Sequence, residues 1–377
     1  MKIEAVRIYR YDIPFVRPFV TSRFILQNRS GLILELTATG GFVGYGEIAP
    51  LAGFSRETID DCTGAAVALA RELQHSKLPD SPQELQQRSC KWQDLPPCVV
   101  FGFDSAMADL CAQAAGITMA QWIRANATQR VALNAVIAGN TTDSDIKAKC
   151  VEGYSTFKLK IGSTSIDDDV RRISEIRELI GSSAKLRLDA NCAYDFESAT
   201  MLTQHLAAFN IEYIEEPLKD ATLANLARLR SNSPIPIAID ETLISIYNRA
   251  LDTRRIELLS PEFLDSFDVA IIKPSQMGSI VEAIEFCERL IQSGKEIVVT
   301  SSLDTAIGVT TAIHIACALQ VRDACGLDTA GLFVSQLTHS IGDLSAGYLS
   351  LPSRPGLGVA LEKHPDNLQY LNEIEVA

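Results

Sequence analysis

Leu186-Arg187-Leu188-Asp189-Ala190-Asn191 is a short apolar run that ends in a carboxylate, and the chain repeats the device twice. The repeats are Ile211-Glu212-Tyr213-Ile214-Glu215-Glu216-Pro217 and Ile237-Ala238-Ile239-Asp240-Glu241. Each run reads as a buried strand, and a helical pattern such as 198–207 separates the first from the second. Upstream, Phe157-Lys158-Leu159-Lys160-Ile161-Gly162 carries two amines two residues apart, so one strand face presents both. Downstream, the run 269–275 carries Lys273.

Working outward, strand candidates fall at 131–138, 156–162, 185–191, 211–217, 236–241, 269–275, 296–302 and 324–329, with helical runs such as 168–179 and 279–292 between them. Short apolar strands alternating with helices predict a parallel barrel of the (β/α)8 kind. Before it, residues 1 to about 50 read as antiparallel strands with a hairpin at Gly40-Gly41, and 56–125 as helices. Strands followed by helices predict an α+β domain. The expected division is a capping domain at 1–125, joined by the tail 348–377, and a barrel at 126–347. Asp240 to Lys273 is longer than the roughly 20–25 residues that a simple strand–helix–strand step needs, so an extra helix and loop are expected around 254–267.

Bulk properties narrow the function. The chain has 377 residues, 47% hydrophobic, and a formal net charge of −13. That charge disfavours nucleic acid or an anionic membrane as partner. No run approaches the ~20 uninterrupted apolar residues of a membrane span, and Met1-Lys2-Ile3-Glu4-Ala5 does not open a signal peptide. The nine cysteines form no Cys-x-x-Cys pair and sit mostly in apolar surroundings, which suits reduced thiols in a cytoplasmic protein. A homo-oligomer is left open.

Active faces of such barrels lie at the C-terminal ends of the strands. Asp189, Glu215 and Asp240 on consecutive strands suit a hard divalent cation, Mg²⁺ with Mn²⁺ as a substitute; zinc would call for His or Cys. Lysines buried beside them have a desolvation cost that a counter-charge or a function must offset. Lys160 and Lys273, reaching a bound small-molecule carboxylate from opposite sides, form an acid/base pair for proton transfer at carbon. Lys158 reads as salt-bridged to the carboxylates and as the electrostatic neighbour of Lys160. Asn191, two residues after Asp189, can face the same pocket.

This set of Lys-x-Lys, Asp, Glu, Asp and Lys resembles the enolase superfamily in its muconate-lactonizing subgroup. Phe157 to Gly162 is similar to that subgroup's second-strand signature, and Ile214-Glu215-Glu216-Pro217 to its fourth-strand signature. The resemblance implies a modified (β/α)7β barrel with the α+β cap over it, Glu215 as the ligand, and Glu216 and Arg187 behind the ligands. Four further stretches resemble o-succinylbenzoate synthases: Lys273-Pro274-Ser275-Gln276-Met277-Gly278-Ser279, Ser301-Ser302-Leu303-Asp304-Thr305-Ala306-Ile307-Gly308, Arg187-Leu188-Asp189-Ala190-Asn191, and Arg17-Pro18 with Thr21-Ser22-Arg23. The resemblance implies Mg²⁺-dependent dehydration of 2-succinyl-6-hydroxy-2,4-cyclohexadiene-1-carboxylate, a lyase step of menaquinone biosynthesis. Ser301 and Ser302 would then bind the succinyl arm and Thr21 and Arg23 would close over it. Ser302 as cap of the following helix is an equal alternative. N-succinylamino-acid racemase and dipeptide epimerase remain alternatives within the subgroup. Only one acid, Asp328, stands where such epimerases often carry Asp-x-Asp. The mandelate-racemase branch is disfavoured, because no histidine falls at a strand end.

Overall fold

The computed structural model describes residues 1–20, 25–138, 141–253, 257–338, 341–362 and 371–374. Thr21 and Arg23 lie outside the described residues, as do 254–256 of the expected insertion.

The N-terminal part is an antiparallel sheet backed by helices. Its strands are β1 (Ile3–Val20), β2 (Ile25–Ala38) and β3 (Phe42–Ile48), and the β2–β3 hairpin turns at Gly40 and Gly41 with φ of 96° and 80°. Helices α1 (Ile59–Leu73), α2 (Pro82–Ser89), α3 (Pro97–Ala115) and α4 (Met119–Ile123) follow. Thr58 starts α1 with a capping box closed by Asp61. Helix α3 lies flush on the sheet because β3 presents no side chain there: a Cβ on Gly46 would come within 1.9 Å of the Gly102 carbonyl oxygen. By length and composition α3 could cross a membrane, yet 83% of its apolar stretch is buried inside the protein. Two buried acids interrupt it. Asp104 accepts from Ser89 and the Ile280 amide, and Asp109 from the Tyr45 and Leu357 amides.

Beyond it the pattern alternates. After β4 (Arg130–Ala132) come β5 (Ala135–Ile137), α5 (Asp143–Val151), β6 (Thr156–Lys160), α6 (Ile166–Ile180), β7 (Lys185–Asp189), α7 (Phe196–His205), β8 (Ile211–Glu215) and α8 (Leu223–Asn232). Then follow β9 (Ile237–Ile239), α9 (Glu241–Thr253), α10 (Pro261–Leu264), β10 (Val269–Ile272), α11 (Ile280–Gln292), β11 (Glu296–Val299) and α12 (Ala306–Ala318). Strands β5 to β11 form one seven-stranded parallel sheet in sequential order, curled as a modified barrel. Strands such as Ile237-Ala238-Ile239 are buried at every residue, as expected of a sheet covered on both faces.

Two strand expectations change. The candidate 131–138 divides: β4 leaves the barrel to pair antiparallel with β13 (Tyr348–Ser350), which also pairs with β12 (Leu344–Ser345), and only β5 joins the parallel sheet. The candidate 324–329 is no regular strand. It links both sheet edges through single bridges, Leu133 to Cys325 and Thr300 to Gly326. The extra length between Asp240 and Lys273 is taken up by α9, a turn at Glu257–Leu259 and α10. The tail divides its pairing. Its start stays with β4, while β14 (Leu371–Ile374) adds to the edge of β1 in the N-terminal sheet.

Candidate active site at the barrel mouth

Parallel pairing sets the carboxylates in one layer. Lys160 is in register with Asp189, and Asp189 with Glu215. Asp240 follows immediately after β9, and Lys273 after β10. Asp189, Glu215 and Asp240 are all buried.

The lysines neutralise this layer unequally. Lys158 Nζ lies 2.9 Å from Asp189 Oδ2 and 2.7 Å from Glu215 Oε2, so it bridges two carboxylates. Lys160 Nζ donates to Asp189 Oδ2 and, at 2.8 Å, to Asn191 Oδ1. Lys273 Nζ donates to Asp240 Oδ2 at 2.6 Å and stands 5.7 Å from the centre of the Phe54 ring. The Lys160 side chain is 37% exposed against 14% for Lys158 and for Lys273, so Lys160 is the amine that opens to the mouth.

Charge balance shows what the layer lacks. Burial works to raise the Asp189 carboxyl, but Lys158 and Lys160 overcome it and hold it below the usual range. Glu215 is pushed up to about 8, by burial first and by Asp189 second, with Lys158 opposing. For Lys273, burial favours the neutral amine, yet Asp240 and Glu241 outweigh it and raise the group to about 12. Among the described residues, no hydrogen-bond donor meets the buried oxygens Asp240 Oδ1 and Glu241 Oε2. Glu215 Oε2 has, among the described residues, only its ion pair with Lys158, without hydrogen-bond geometry. Buried carboxylate oxygens without donors, in an all-oxygen set, fit a hard divalent cation.

Other predicted residues hold nearby positions. Asn191 adopts a left-handed φ of 44°, which turns its side chain back to Lys160. Glu216, also left-handed at 41°, accepts from the Asp240 and Thr242 amides and the Thr242 hydroxyl, and so sets the start of α9. Arg187 lies one inward position below Asp189 on β7. Its hydrogen bonds run to Glu212, Asn134 and the Ala324 carbonyl, and its guanidinium lies over Tyr213, so it braces the barrel interior below the carboxylates. Two sequence stretches meet in space: Gln276 Nε2 donates to Ser302 Oγ, and Ser275 Oγ to Asp304 Oδ2. Ser301 Oγ pairs with Thr329. Both serine amides already have acceptors, Gly326 O and Asp304 Oδ2. Ser302 does not cap the next helix, because the capping position of α12 is Thr305. Asp328 is engaged by Tyr154 and Lys149. His314 is fully buried in α12; its Nδ1 accepts from the Ala120 amide, which leaves Nε2 to donate to the Leu357 carbonyl.

Sequence reading missed three residues that shape this site. Glu241 was in plain view beside Asp240, and its acidic side chain next to a candidate metal ligand was the available signal. Arg29 and Glu47 come from the N-terminal sheet and carried no such signal. Glu47 accepts from Tyr11, from the Thr305 amide and hydroxyl, and from the Gly308 amide, so it caps α12 from the other side of the seam. A Cβ at Gly308 would lie 2.8 Å from Glu47 Oε2, which explains the glycine there. Arg29 donates to the carbonyls of Ser302 and Leu303 and of Ala49 and Pro50.

Residues 143–364 match the family described as enolase C-terminal domain-like, and residues 3–110 match the MenC N-terminal domain. The chain therefore belongs to the enolase superfamily. Among its relatives is a chloromuconate cycloisomerase of Pseudomonas putida, 27% identical over 98% of this chain and 99% of that protein. The N-succinyl-L-Arg/Lys racemase of Bacillus cereus is 26% identical over 98% of both, and its crystal structure superposes with a TM-score of 0.84 over 100% of both chains. An o-succinylbenzoate synthase of Desulfotalea psychrophila is 26% identical over 88% of this chain and 95% of that protein.

Proposed function

We propose that the protein is an o-succinylbenzoate synthase of the muconate-lactonizing subgroup, converting 2-succinyl-6-hydroxy-2,4-cyclohexadiene-1-carboxylate to 2-succinylbenzoate and water. The observation that carries this reading is the MenC N-terminal domain match over 3–110, the part whose β2 and β3 hold the segment between β11 and α12 through Arg29 and Glu47. In this reading 1–125 forms the cap, with 126–347 the catalytic barrel and 348–377 a tail shared by both. The nine cysteines are all thiols, in keeping with a reducing cytoplasm.

Asp189, Glu215 and Asp240 would hold Mg²⁺, or Mn²⁺ in its place. When bound, the ion would offset the negative charge that builds on the substrate carboxylate as the enolate forms. Lys160, the more open amine, takes the ring proton next to that carboxylate. As the ring aromatises, the neighbouring carbon–oxygen bond breaks, and the Lys160 ammonium returns the proton to the departing hydroxide as water. Lys273 faces the opposite side as a fixed cation that stabilises the enolate. Lys158 keeps Asp189 and Glu215 together. Asn191 orients Lys160. The hydroxyls of Ser301 and Ser302, with Thr21 and Arg23, receive the succinyl arm.

The test is to incubate the purified protein with the cyclohexadiene and Mg²⁺ and follow the loss of diene absorbance. No turnover, alongside rapid racemisation of N-succinylamino acids, would replace this reading with the racemase. That alternative is favoured by the racemase relative and by the two amines on opposite sides of the site.

A further inference from the structure

A second potential metal site lies outside the barrel mouth, in the N-terminal part. Cys62 sits in α1, Cys98 on the first turn of α3 directly after Pro97, and Glu57 just before the α1 cap Thr58. The two sulfurs are 3.4 Å apart, and the Cys98 thiol donates to Glu57 Oε1 at 3.3 Å. One donor atom from each of the three residues lies within 4.8 Å of the others. We propose that Glu57, Cys62 and Cys98 bind a thiophilic divalent cation of the zinc class, with a water in the fourth position.

The donor set selects the ion. Two thiolates and a carboxylate favour zinc-like cations over Mg²⁺, the reverse of the all-oxygen set at the mouth. Two sulfurs on a tetrahedral zinc, each at ~2.3 Å, stand about 3.8 Å apart. The pair needs to open by only a few tenths of an ångström. Both thiols are buried, whereas Glu57 is partly exposed and offers the way in. The α3 N-terminus adds a favourable field for anionic sulfur at Cys98.

Binding balances as one divalent cation taking two thiolates and one carboxylate, with two protons released and a net charge of −1 on the complex. Cation and protons compete for the two sulfurs, so cation affinity rises with pH. The same loop, from Leu51 toward Glu57, carries Phe54, which stands over Lys273. An ion at Glu57 would pin the base of the loop that brings Phe54 to the mouth.

The test is a Co²⁺ titration of the full chain in excess Mg²⁺, read by near-ultraviolet sulfur-to-metal absorption, which carboxylate sites do not give. One equivalent should bind, with two protons released. Glu57→Gln should weaken binding at least about tenfold while leaving both thiols in place. Cys62→Ser with Cys98→Ser should remove the band, and Cys192→Ser, which takes away the thiol grouped with Glu216 and Glu241 near the barrel mouth, should keep it. If the double serine variant fails to fold, the Glu57→Gln shift decides. Absence of the band, its survival in the double variant, an unchanged affinity in Glu57→Gln, or a native mass two hydrogens low from a Cys62–Cys98 disulfide would each overturn the proposal.

Discussion

The barrel mouth and the seam between the N-terminal sheet and α12 both bury ionisable groups, yet they complete them differently. At the seam, Glu47 meets four donors and Arg29 meets carbonyls on both sides. At the mouth, the carboxylates share three lysines, and among the described residues no donor reaches Asp240 Oδ1 or Glu241 Oε2. A satisfied buried charge fixes geometry, while one with open lone pairs is poised for a ligand. Burial alone therefore does not separate scaffold from chemistry; the state of completion does.

The contrast can be broken most decisively at the mouth. Lys160→Ala should lower kcat for diene loss by about 10²–10⁴-fold, the contribution of a positioned general base, with little change in urea stability. Near wild-type turnover would overturn the base assignment. Chelation of divalent ions should abolish turnover and leave far-ultraviolet circular dichroism unchanged, and added Mg²⁺ should restore the rate. Metal-independent activity would remove the role given to the three carboxylates.

The seam should respond in the opposite way, through stability. Glu47→Gln replaces two acceptor oxygens with one oxygen and an amide that cannot accept, so about 2–4 kcal/mol should be lost in urea unfolding. A smaller effect would mean the Thr305 and Gly308 amides find other acceptors. His314 gives the pH counterpart. Burial pushes it down to about 4 from an ordinary value of 6.5. Its contribution is present above pH 6.5 and is lost as pH falls toward 4, because only the unfolded chain takes up the proton across that window. His314→Gln should flatten the pH dependence of unfolding there by up to about 3 kcal/mol. The smallest effect is expected at Asp328. Asp328→Asn should cost under about 1 kcal/mol and leave the dehydration rate unchanged, whereas a large rate loss would point to substrate recognition by that acid.

Legibility followed the range of the interaction. The five parallel strands from β6 to β10 could be read because each sets apolar residues at alternate or consecutive positions over a short run, and each ends at, or one residue before, a residue whose charge stands out. Strand 324–329 and the split at 131–138 were not legible, since closure by single bridges and departure of β4 toward β13 depend on partners far along the chain. The same holds for the serines. Their sequence context pointed to the mouth, but only the fold shows that their amides are taken by Gly326 and Asp304.

By itself the sequence determined the alternation of strands and helices and the spacing of Lys158, Lys160, Asp189, Glu215, Asp240 and Lys273, because periodicity and strand length act over a few residues. Only the tertiary structure decided which oxygens remain open, which lysine faces the mouth, and that Glu47 and Arg29 reach across from another sheet. Those outcomes depend on contacts far outside a local window, from 29 positions between Lys160 and Asp189 to 258 between Glu47 and Thr305, and no local pattern encodes them.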